Sequence, residues 1–333
     1  MKRLLYIGGL GVSLGMLPLL GTGTLESASL HPVQEMEFSY GVIVRDIPRE
    51  TKTLEIWVPL PREDGWQSIS NLRVESPVPF LQLTESEYGN RLLYCDLTSD
   101  LPDSLPFTVT FHVRRAEAVP LAPLDTGAVL ERQLRRFLAP DALVPITGAI
   151  AHESDSVAAG ESTPIAKALA LYRHVLGTMR YDKTGIGWGD GSAVFACEQR
   201  RGNCTDIHSL LIGMARAQGI PARFVIGFPT PSDVSEGVIP GYHCWAELYV
   251  PDLGWVPVDA SEAIKHPRKA AFYFGNLDEN RVAFTVGRDI RLEGRDRSVT
   301  ANYFIYPEVR LDGLAYTNVA REFKFRVLRP AGG

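Results

Sequence analysis

Strand-like segments occupy both ends of this chain and enclose a helical region, and this order restricts the folds that are available. Between residues 35 and 115, apolar and polar residues alternate in about six or seven short runs separated by Pro, Gly, Asn and Asp, which is typical of β-strands. Helical patterns follow at 129–138 and 165–179, and strand patterns return at 222–228, 243–250 and 255–259. Helices grouped between sheets, rather than alternating with strands, predict an α+β fold.

We expect this order to correspond to two domains, because 333 residues suffice for two hydrophobic cores. The strands of residues 33–118 predict an N-terminal antiparallel β-sandwich. Residues 125–333 then form a second domain, with an α+β core at 160–262 and a C-terminal β extension. The strand-like segments of that extension either widen the sheet of the second domain or return to cover the first.

A cysteine lies at the predicted start of a helix. The turn signal Gly202-Asn203 directly precedes Cys204, good helix formers run through residues 210–217, and Gly219 closes the segment. At the first turn of a helix, free backbone N–H groups and the positive end of the dipole favour an anion. A thiol there ionises more easily, and the thiolate is the reactive form. We therefore predict that Cys204 is a nucleophile.

A base and its partner are predicted on a β-hairpin downstream. Residues 241–259 contain two strand patterns around a Pro-Asp-Leu-Gly turn, and Pro251 is the midpoint between His243 and Asp259. Folding at that midpoint places the two residues directly opposite each other and on one face, because their separation of 16 is even. Opposed side chains have Cβ atoms about 5 Å apart, within reach of an imidazole–carboxylate hydrogen bond. Cys204, His243 and Asp259 then form a nucleophile–base–orienter triad.

The motifs around these residues resemble the transglutaminase-like superfamily. They are Gly202-Asn203-Cys204, Gly219-Ile220-Pro221-Ala222-Arg223, His243-Cys244-Trp245-Ala246-Glu247 and Gly254-Trp255-Val256-Pro257-Val258-Asp259, in the expected order over residues 160–262. The resemblance implies a papain-related core with Cys204 as nucleophile, His243 as base and Asp259 as orienter. It also implies an acyltransferase, peptidase or other hydrolase without a cofactor. Exported bacterial members of this superfamily typically carry an N-terminal β domain.

Other residues near the motifs are candidates for binding an oxyanion or for lining the pocket. The backbone N–H of Cys204 is one oxyanion donor, and the resemblance implies a tryptophan or a glutamine as the second, for which this chain offers Trp188 and Gln199. A structural role for Trp188 is an equal alternative. His208 shares a helix face with Cys204 and either competes as base or, together with Asp206, makes structural hydrogen bonds. Trp245 is expected to pack in the hairpin and to line the cleft.

The chain has four cysteines, of which Cys204 must be unpaired to act as a nucleophile. Cys244 follows His243 on a strand, so it should point to the opposite face and into the core. The pairing of Cys95, Cys197 and Cys244 is left open. The spacing of cysteines and histidines matches no compact zinc motif, so we expect no metal ligands.

The N-terminus predicts export. Lys2 and Arg3 precede an uncharged apolar run at residues 4–20, and small residues follow, which is typical of a signal peptide within residues 1–29. The alternative is an uncleaved membrane anchor. The net charge of −5 gives no basic surface for nucleic acid. We therefore expect a periplasmic or extracellular protein whose partner is a peptide or protein amide, cell-wall amides included.

Two functions from different classes remain open at this stage. The first is a cysteine enzyme that forms a thioester and passes the acyl group to water or to an amine. The second is a non-catalytic envelope protein for binding or adhesion, in which the β-sandwich binds and the core serves as scaffold. A complete triad favours the enzyme, because a scaffold does not need all three residues.

Overall fold

The structure is a computed structural model that describes residues 31–120 and 128–331. The predicted signal peptide at residues 1–29 lies outside the described residues. Among the helices that are described, none combines the length and the apolar composition needed to cross a membrane.

Short helices and many strands make up the described chain. The helices are α1 (Ala128–Arg136), α2 (Ala149–Ala158), α3 (Pro164–Thr178), α4 (Ala193–Gln199), α5 (Cys204–Ala217), α6 (Ala260–Lys265) and a 3-10 turn (Pro267–Lys269). The strands are β1 (Val33–Val44), β2 (Leu54–Pro59), β3 (Gln67–Glu75), β4 (Leu81–Thr84), β5 (Arg91–Leu97), β6 (Leu105–Ala116), β7 (Arg180–Tyr181), β8 (Arg201–Gly202), β9 (Ala222–Pro229), β10 (Glu236–Val238), β11 (His243–Val250), β12 (Gly254–Val258), β13 (Arg281–Val286), β14 (Ile290–Leu292), β15 (Val299–Ala301), β16 (Glu308–Leu311), β17 (Leu314–Ala315) and β18 (Val319–Arg329).

Two five-stranded sheets combine strands from both ends of the chain. Sheet A has the order β10-β18-β1-β6-β3, and sheet B has the order β17-β16-β2-β5-β4. In sheet A, β1 pairs antiparallel with both β6 and β18, so that Phe38 lies opposite Phe111 on one side and Phe325 on the other. Every second side chain of β1 is buried, as expected for strands with one face on a core.

This pairing crosses the boundary that the sequence predicts between residues 33–118 and 125–333. The segments β16 and β18 return to the N-terminal strands, whereas β13 widens the sheet that carries the candidate site. The C-terminal extension therefore does both things that the sequence allowed. One of its strands widens the sheet of the second half, and others pair with the N-terminal strands. Residues from 31 onward group into one compact unit. Whether the two ranges fold independently stays a prediction.

A four-stranded antiparallel sheet, sheet C, forms the centre of the second half with the order β12-β11-β9-β13. Strand β11 is buried along its whole length, and helix α5 packs against it. Residues Cys204–Arg216 of α5 are all buried. A helix that is covered on all sides is a central core helix, so its first turn is held on every side by surrounding elements.

Aromatic residues join sheet A to sheet C. Phe38 and Tyr40 of β1 have their rings 5.4 and 6.0 Å from the ring of Phe228 in β9. Phe284 of β13 lies 5.8 Å from Phe38 and 5.7 Å from Tyr40, measured between ring centroids. Burial of each such ring contributes roughly 2–3 kcal/mol, so the N-terminal strands help to stabilise the sheet that carries the site.

The α+β fold class predicted from the sequence is confirmed. The predicted helix at 165–179 corresponds to α3, and the predicted strand at 243–250 coincides with β11. Helices α2 and α4 are absent from the prediction. They have 10 and 7 residues, too few to give a clear helical period.

Candidate active site

The start of α5 is held by a reciprocal capping box. The side-chain oxygen of Asn203 accepts hydrogen bonds from the N–H groups of Thr205 (2.8 Å) and Asp206 (3.3 Å), and Asp206 accepts one from the Asn203 N–H (3.0 Å). Cys204 is the first residue of the helix and is only 3% exposed. Within the described chain, the capping bonds leave the N–H of Cys204 uncommitted, so it can face an oxyanion next to the sulfur.

Asp206 also fastens a glycine-rich loop to this helix start. Its two carboxylate oxygens accept hydrogen bonds from the N–H groups of Gly189 (2.8 Å) and Gly191 (3.0 Å). The residue is fully buried, and burial raises the pKa of its carboxyl above the usual value. The structure places Asp206 in a structural network, the alternative that the sequence analysis left open.

His243 and Asp259 are in contact, although they are not opposite each other. In the hairpin Val250 pairs with Gly254 and Ala246 with Val258, so the same register places Asp259 opposite Trp245. The predicted midpoint at Pro251 is therefore wrong by one residue, because the tight turn is centred on Asp252, whose φ of 70° is left-handed. Asp259 remains on the same face as His243, diagonal to it, and the Nε2–Oδ2 distance is 2.7 Å.

Cys204 and His243 favour an ion pair. The pKa of Cys204 lies well below that of a free thiol, because Cys244 hydrogen-bonds to its sulfur and His243 adds a hydrogen bond and positive charge, which together outweigh burial. Burial lowers the pKa of His243, but the charge and hydrogen bond of Asp259 and the contact with Cys204 raise it to about 10. Since Nε2 binds Asp259, Nδ1 is the His243 nitrogen that remains for the thiol. The two pKa shifts therefore favour a thiolate at Cys204 beside a protonated His243.

Asp259 is fully buried and accepts four hydrogen bonds. Oδ1 binds the hydroxyl of Ser261 (3.1 Å) and the N–H of Glu262 (2.9 Å), which caps α6. Oδ2 binds His243 and the guanidinium of Arg281 (3.0 Å). Burial by itself raises the pKa of this carboxyl, but the positive charges of His243 and Arg281 hold it well below the usual value. Asp259 therefore stays ionised beside His243.

His208 is hydrogen-bonded to the backbone through both ring nitrogens. Its Nδ1 lies 2.8 Å from the carbonyl oxygen of Cys204 and must donate, whereas its Nε2 accepts from the N–H of Ala260 at 3.0 Å. These partners require the neutral ring with the proton on Nδ1. The side chain is fully buried, and burial lowers its pKa. His208 joins the nucleophile's helix to the residue that follows Asp259.

None of the four cysteines forms a disulfide. Cys244 is buried as predicted, but its thiol lies 3.7 Å from Nδ1 of His208 and contributes to the lowered pKa of Cys204, so it is part of the site. The pKa of Cys244 is raised well above its usual value by burial and by its interaction with Cys204. Cys197 donates to Glu153 (3.1 Å). No cluster of three or more potential metal ligands is found in the described chain.

Neither side chain proposed as second oxyanion donor lies at the site, whereas Trp245 packs in the hairpin as expected. The indole N–H of Trp188 donates to the carbonyl of Gly185 (3.1 Å) in its own loop. Gln199 ends α4 and is exposed to solvent. Neither contacts Cys204 among the described contacts. Trp245 is 1% exposed and packs with its ring 6.3 Å from that of His243, under the guanidinium of Arg281.

Two residues of the site were not identified from the sequence. The hydroxyl of Tyr242 lies 2.9 Å from Oγ1 of Thr205 and accepts from the amide of Asn203 (3.3 Å), so it touches both neighbours of Cys204. The position of Tyr242 directly before His243 in the sequence could have identified it as a candidate. Arg281 lies 22 residues after Asp259 along the chain, and no local pattern marks it as a partner.

A cleft of about 410 Å³ opens beside His243. The segment Pro229–Asp233 forms one wall, and residues from the region between Glu262 and Arg281 form the other. The lining is mainly polar and contains both signs of charge, with Asp233 and Lys269 among its members. This composition suits a polar ligand next to the His243–Asp259 pair.

Comparison with known proteins agrees with the resemblance seen in the sequence. Residues 152–260 match the transglutaminase-like superfamily, which confirms the resemblance and shifts its predicted range, 160–262, by a few residues. An uncharacterized protein of Haemophilus influenzae is 25% identical over 310 residues, covering 81% of this chain and 84% of its own length.

Solved structures are similar to this chain at low sequence identity. A crystal structure described as a candidate cysteine protease from Cytophaga hutchinsonii has a TM-score of 0.61 and 17% identity, and it covers 90% of this chain and 92% of that one. The periplasmic domain of TgpA from Pseudomonas aeruginosa has a TM-score of 0.38 at 18% identity, covering 71% of this chain and 93% of that one. The first similarity extends the shared fold to the N-terminal sheets.

Proposed function

We propose, from the transglutaminase-like match of residues 152–260, that this protein is an exported cysteine enzyme acting on amides through a Cys204 thioester. The observation that carries the proposal is the buried Cys204–His243–Asp259 arrangement, in which the pKa of Cys204 is lowered and that of His243 is raised to about 10. A purely structural cysteine has no need of an ionised histidine partner. Export is inferred from the basic and apolar pattern of residues 1–29.

The reaction follows from the charges at the site. The Cys204 thiolate attacks the amide carbonyl carbon, and the oxyanion is stabilised by the free N–H of Cys204. His243 passes its proton to the leaving amine as the C–N bond breaks, which leaves a thioester. Water or an amine then attacks the thioester, His243 takes the proton of that nucleophile, and the C–S bond breaks to restore the thiolate.

Tyr242 is the residue we propose as second oxyanion donor, in place of Trp188 and Gln199. Its hydroxyl accepts from the amide of Asn203 and lies 2.9 Å from the hydroxyl of Thr205, so it lies beside both chain neighbours of Cys204. We expect Tyr242→Phe to lower kcat by about 10- to 1,000-fold, with little effect on alkylation of Cys204, which forms no oxyanion. Equal losses in both measurements would instead indicate a packing role.

Thiol labelling tests the proposed function without knowledge of the substrate. Iodoacetamide should modify Cys204 at neutral pH faster than it modifies free cysteine at the same pH, and His243→Ala should slow this labelling while the fold survives. Peptide and glutaminyl amides are then screened for release of ammonia or amine, with Cys204→Ala as control. If Cys204 reacts no faster than free cysteine and Cys204→Ala leaves every activity unchanged, the proposed cysteine mechanism is wrong. If, in addition, no amide is cleaved by either protein, the alternative of a non-catalytic binding protein is favoured.

A further inference from the structure

The cleft beside His243 contains two buried polar groups that lack a partner. The hydroxyl of Thr230 and the Nε–H of Arg281 have no hydrogen-bond partner among the described residues, and both residues line the cleft. Thr230 is 4% exposed and Arg281 is 3% exposed. Buried polar groups are normally paired, because an unpaired one loses its hydration without compensation. Two such groups in one cleft next to a catalytic residue indicate a place where a ligand supplies the acceptors.

The position of this cleft identifies the part of the substrate that it can hold. His243 lines it, whereas Cys204 does not. In the proposed reaction His243 exchanges its proton with the amine nitrogen, either when an amine leaves or when an amine attacks the thioester. The amine component therefore lies on the His243 side of the sulfur, and the acyl component lies on the other side.

We propose that this cleft binds the amine component of the reaction, and that the Thr230 hydroxyl donates to a carbonyl oxygen of a peptide-like amine. The inference rests on the proposed function and specifies its substrate class. The amine nitrogen attacks the thioester carbonyl carbon, His243 takes the proton, the C–S bond breaks and the Cys204 thiolate is restored. Arg281 is bound to Asp259 and Asp278 through its terminal nitrogens, and its Nε–H, which has no partner among the described residues, is available to the same ligand.

Aminolysis of an acyl-enzyme tests this assignment without knowledge of the natural acyl group. The full-length protein is acylated with p-nitrophenyl acetate, and the acetyl group is distributed between water and an added amine. Glycinamide carries the carbonyl that Thr230 should bind, and n-butylamine has similar size without it. We expect aminolysis by glycinamide to saturate with concentration, whereas aminolysis by butylamine stays linear.

Variants of Thr230 give the second measurement. In Thr230→Val the ratio of the glycinamide rate to the butylamine rate should fall about two- to tenfold, the loss of one neutral hydrogen bond. Thr230→Ser retains the hydroxyl and should retain the ratio. The two amines differ in basicity, but this difference affects the rate ratio of each variant and of the wild type equally. A change in the ratio therefore does not come from amine basicity. Thermal unfolding of both variants reports whether the fold is kept.

The outcomes separate this inference from the proposed function. If a Cys204-dependent burst of nitrophenol occurs but glycinamide does not saturate, or Thr230→Val keeps the wild-type ratio, the cleft assignment is overturned and the proposed function stands. If Cys204→Ala shows the same burst as the wild type, the proposed function fails and the cleft assignment fails with it.

Discussion

Nε2 of His208 accepts a hydrogen bond from the backbone N–H of Ala260 at 3.0 Å. Through Nδ1 the same ring binds the carbonyl of Cys204, so one side chain connects the helix of the nucleophile to the helix that Asp259 caps. Strand pairing alone would leave these two helices to be positioned by apolar contacts, which are not directional. The histidine therefore contributes to the relative position of Cys204 and Asp259.

Replacing His208 should reduce stability more than it changes proton chemistry. We expect His208→Leu to lower the free energy of unfolding by about 1–3 kcal/mol, because it leaves the buried N–H of Ala260 without an acceptor. Urea unfolding measures this loss. The alkaline limit of activity should not move, because neutral His208 is not the group that titrates there. A shift of that limit in His208→Leu would show that His208 takes part in proton transfer.

The activity of the enzyme should depend on two ionisations with opposite signs. As pH rises through the lowered pKa of Cys204, the thiolate forms and both alkylation and turnover increase. As pH rises further through about 10, His243 loses its proton, and turnover falls because the leaving amine is no longer protonated. Alkylation by iodoacetamide needs no acid and should not fall there. If alkylation and turnover both fell at alkaline pH, the role of His243 as acid would be contradicted.

Asp259 and Asp278 provide a matched pair of substitutions, because both bind Arg281 but Asp259 alone is hydrogen-bonded to His243. Asp259→Asn removes the charge that raises the pKa of His243, so the alkaline limit should move to lower pH. We expect kcat to fall by about 1,000-fold or more. Asp278→Asn should keep the alkaline limit in place. Similar shifts in the two variants would indicate that Arg281, rather than Asp259, controls His243.

The turn before the nucleophile should tolerate no larger residue than glycine. A Cβ on Gly202 would lie 2.5 Å from Cβ and Oδ2 of Asp206, inside the capping box. We expect Gly202→Ala to cost about 2–4 kcal/mol of stability and to slow labelling of Cys204. Gly219→Ala is the control, because its Cβ would meet no atom within 4 Å; its left-handed φ should cost about 1–2 kcal/mol. If Cys204 is labelled at the same rate in both variants, the reactivity of its thiol does not depend on the capping box.

Much of the candidate site could be predicted because its signals are local. The start of α5 depends on a turn, a cap and a run of helix formers within a few residues, and a hairpin brings His243 and Asp259 close without help from the rest of the chain. The exact register was wrong, because a left-handed Asp252 moved the turn by one residue. His243 and Asp259 are nevertheless in contact, because side chains at diagonal positions on one face of a hairpin are still within reach of each other.

The sequence by itself determined the fold class, the cysteine at a helix start and the contact between His243 and Asp259. The hydrophobic period, the helix cap and the even spacing in the hairpin are all short-range features. Tertiary structure alone decided that β18 pairs with β1, that Arg281 binds Asp259, and that Thr230 and His243 share a cleft. It also decided the hydrogen-bond partners of His208, which are the backbone groups of Cys204 and Ala260. These relationships join residues far apart in the chain, and the packing that creates them has no periodic signature in the sequence.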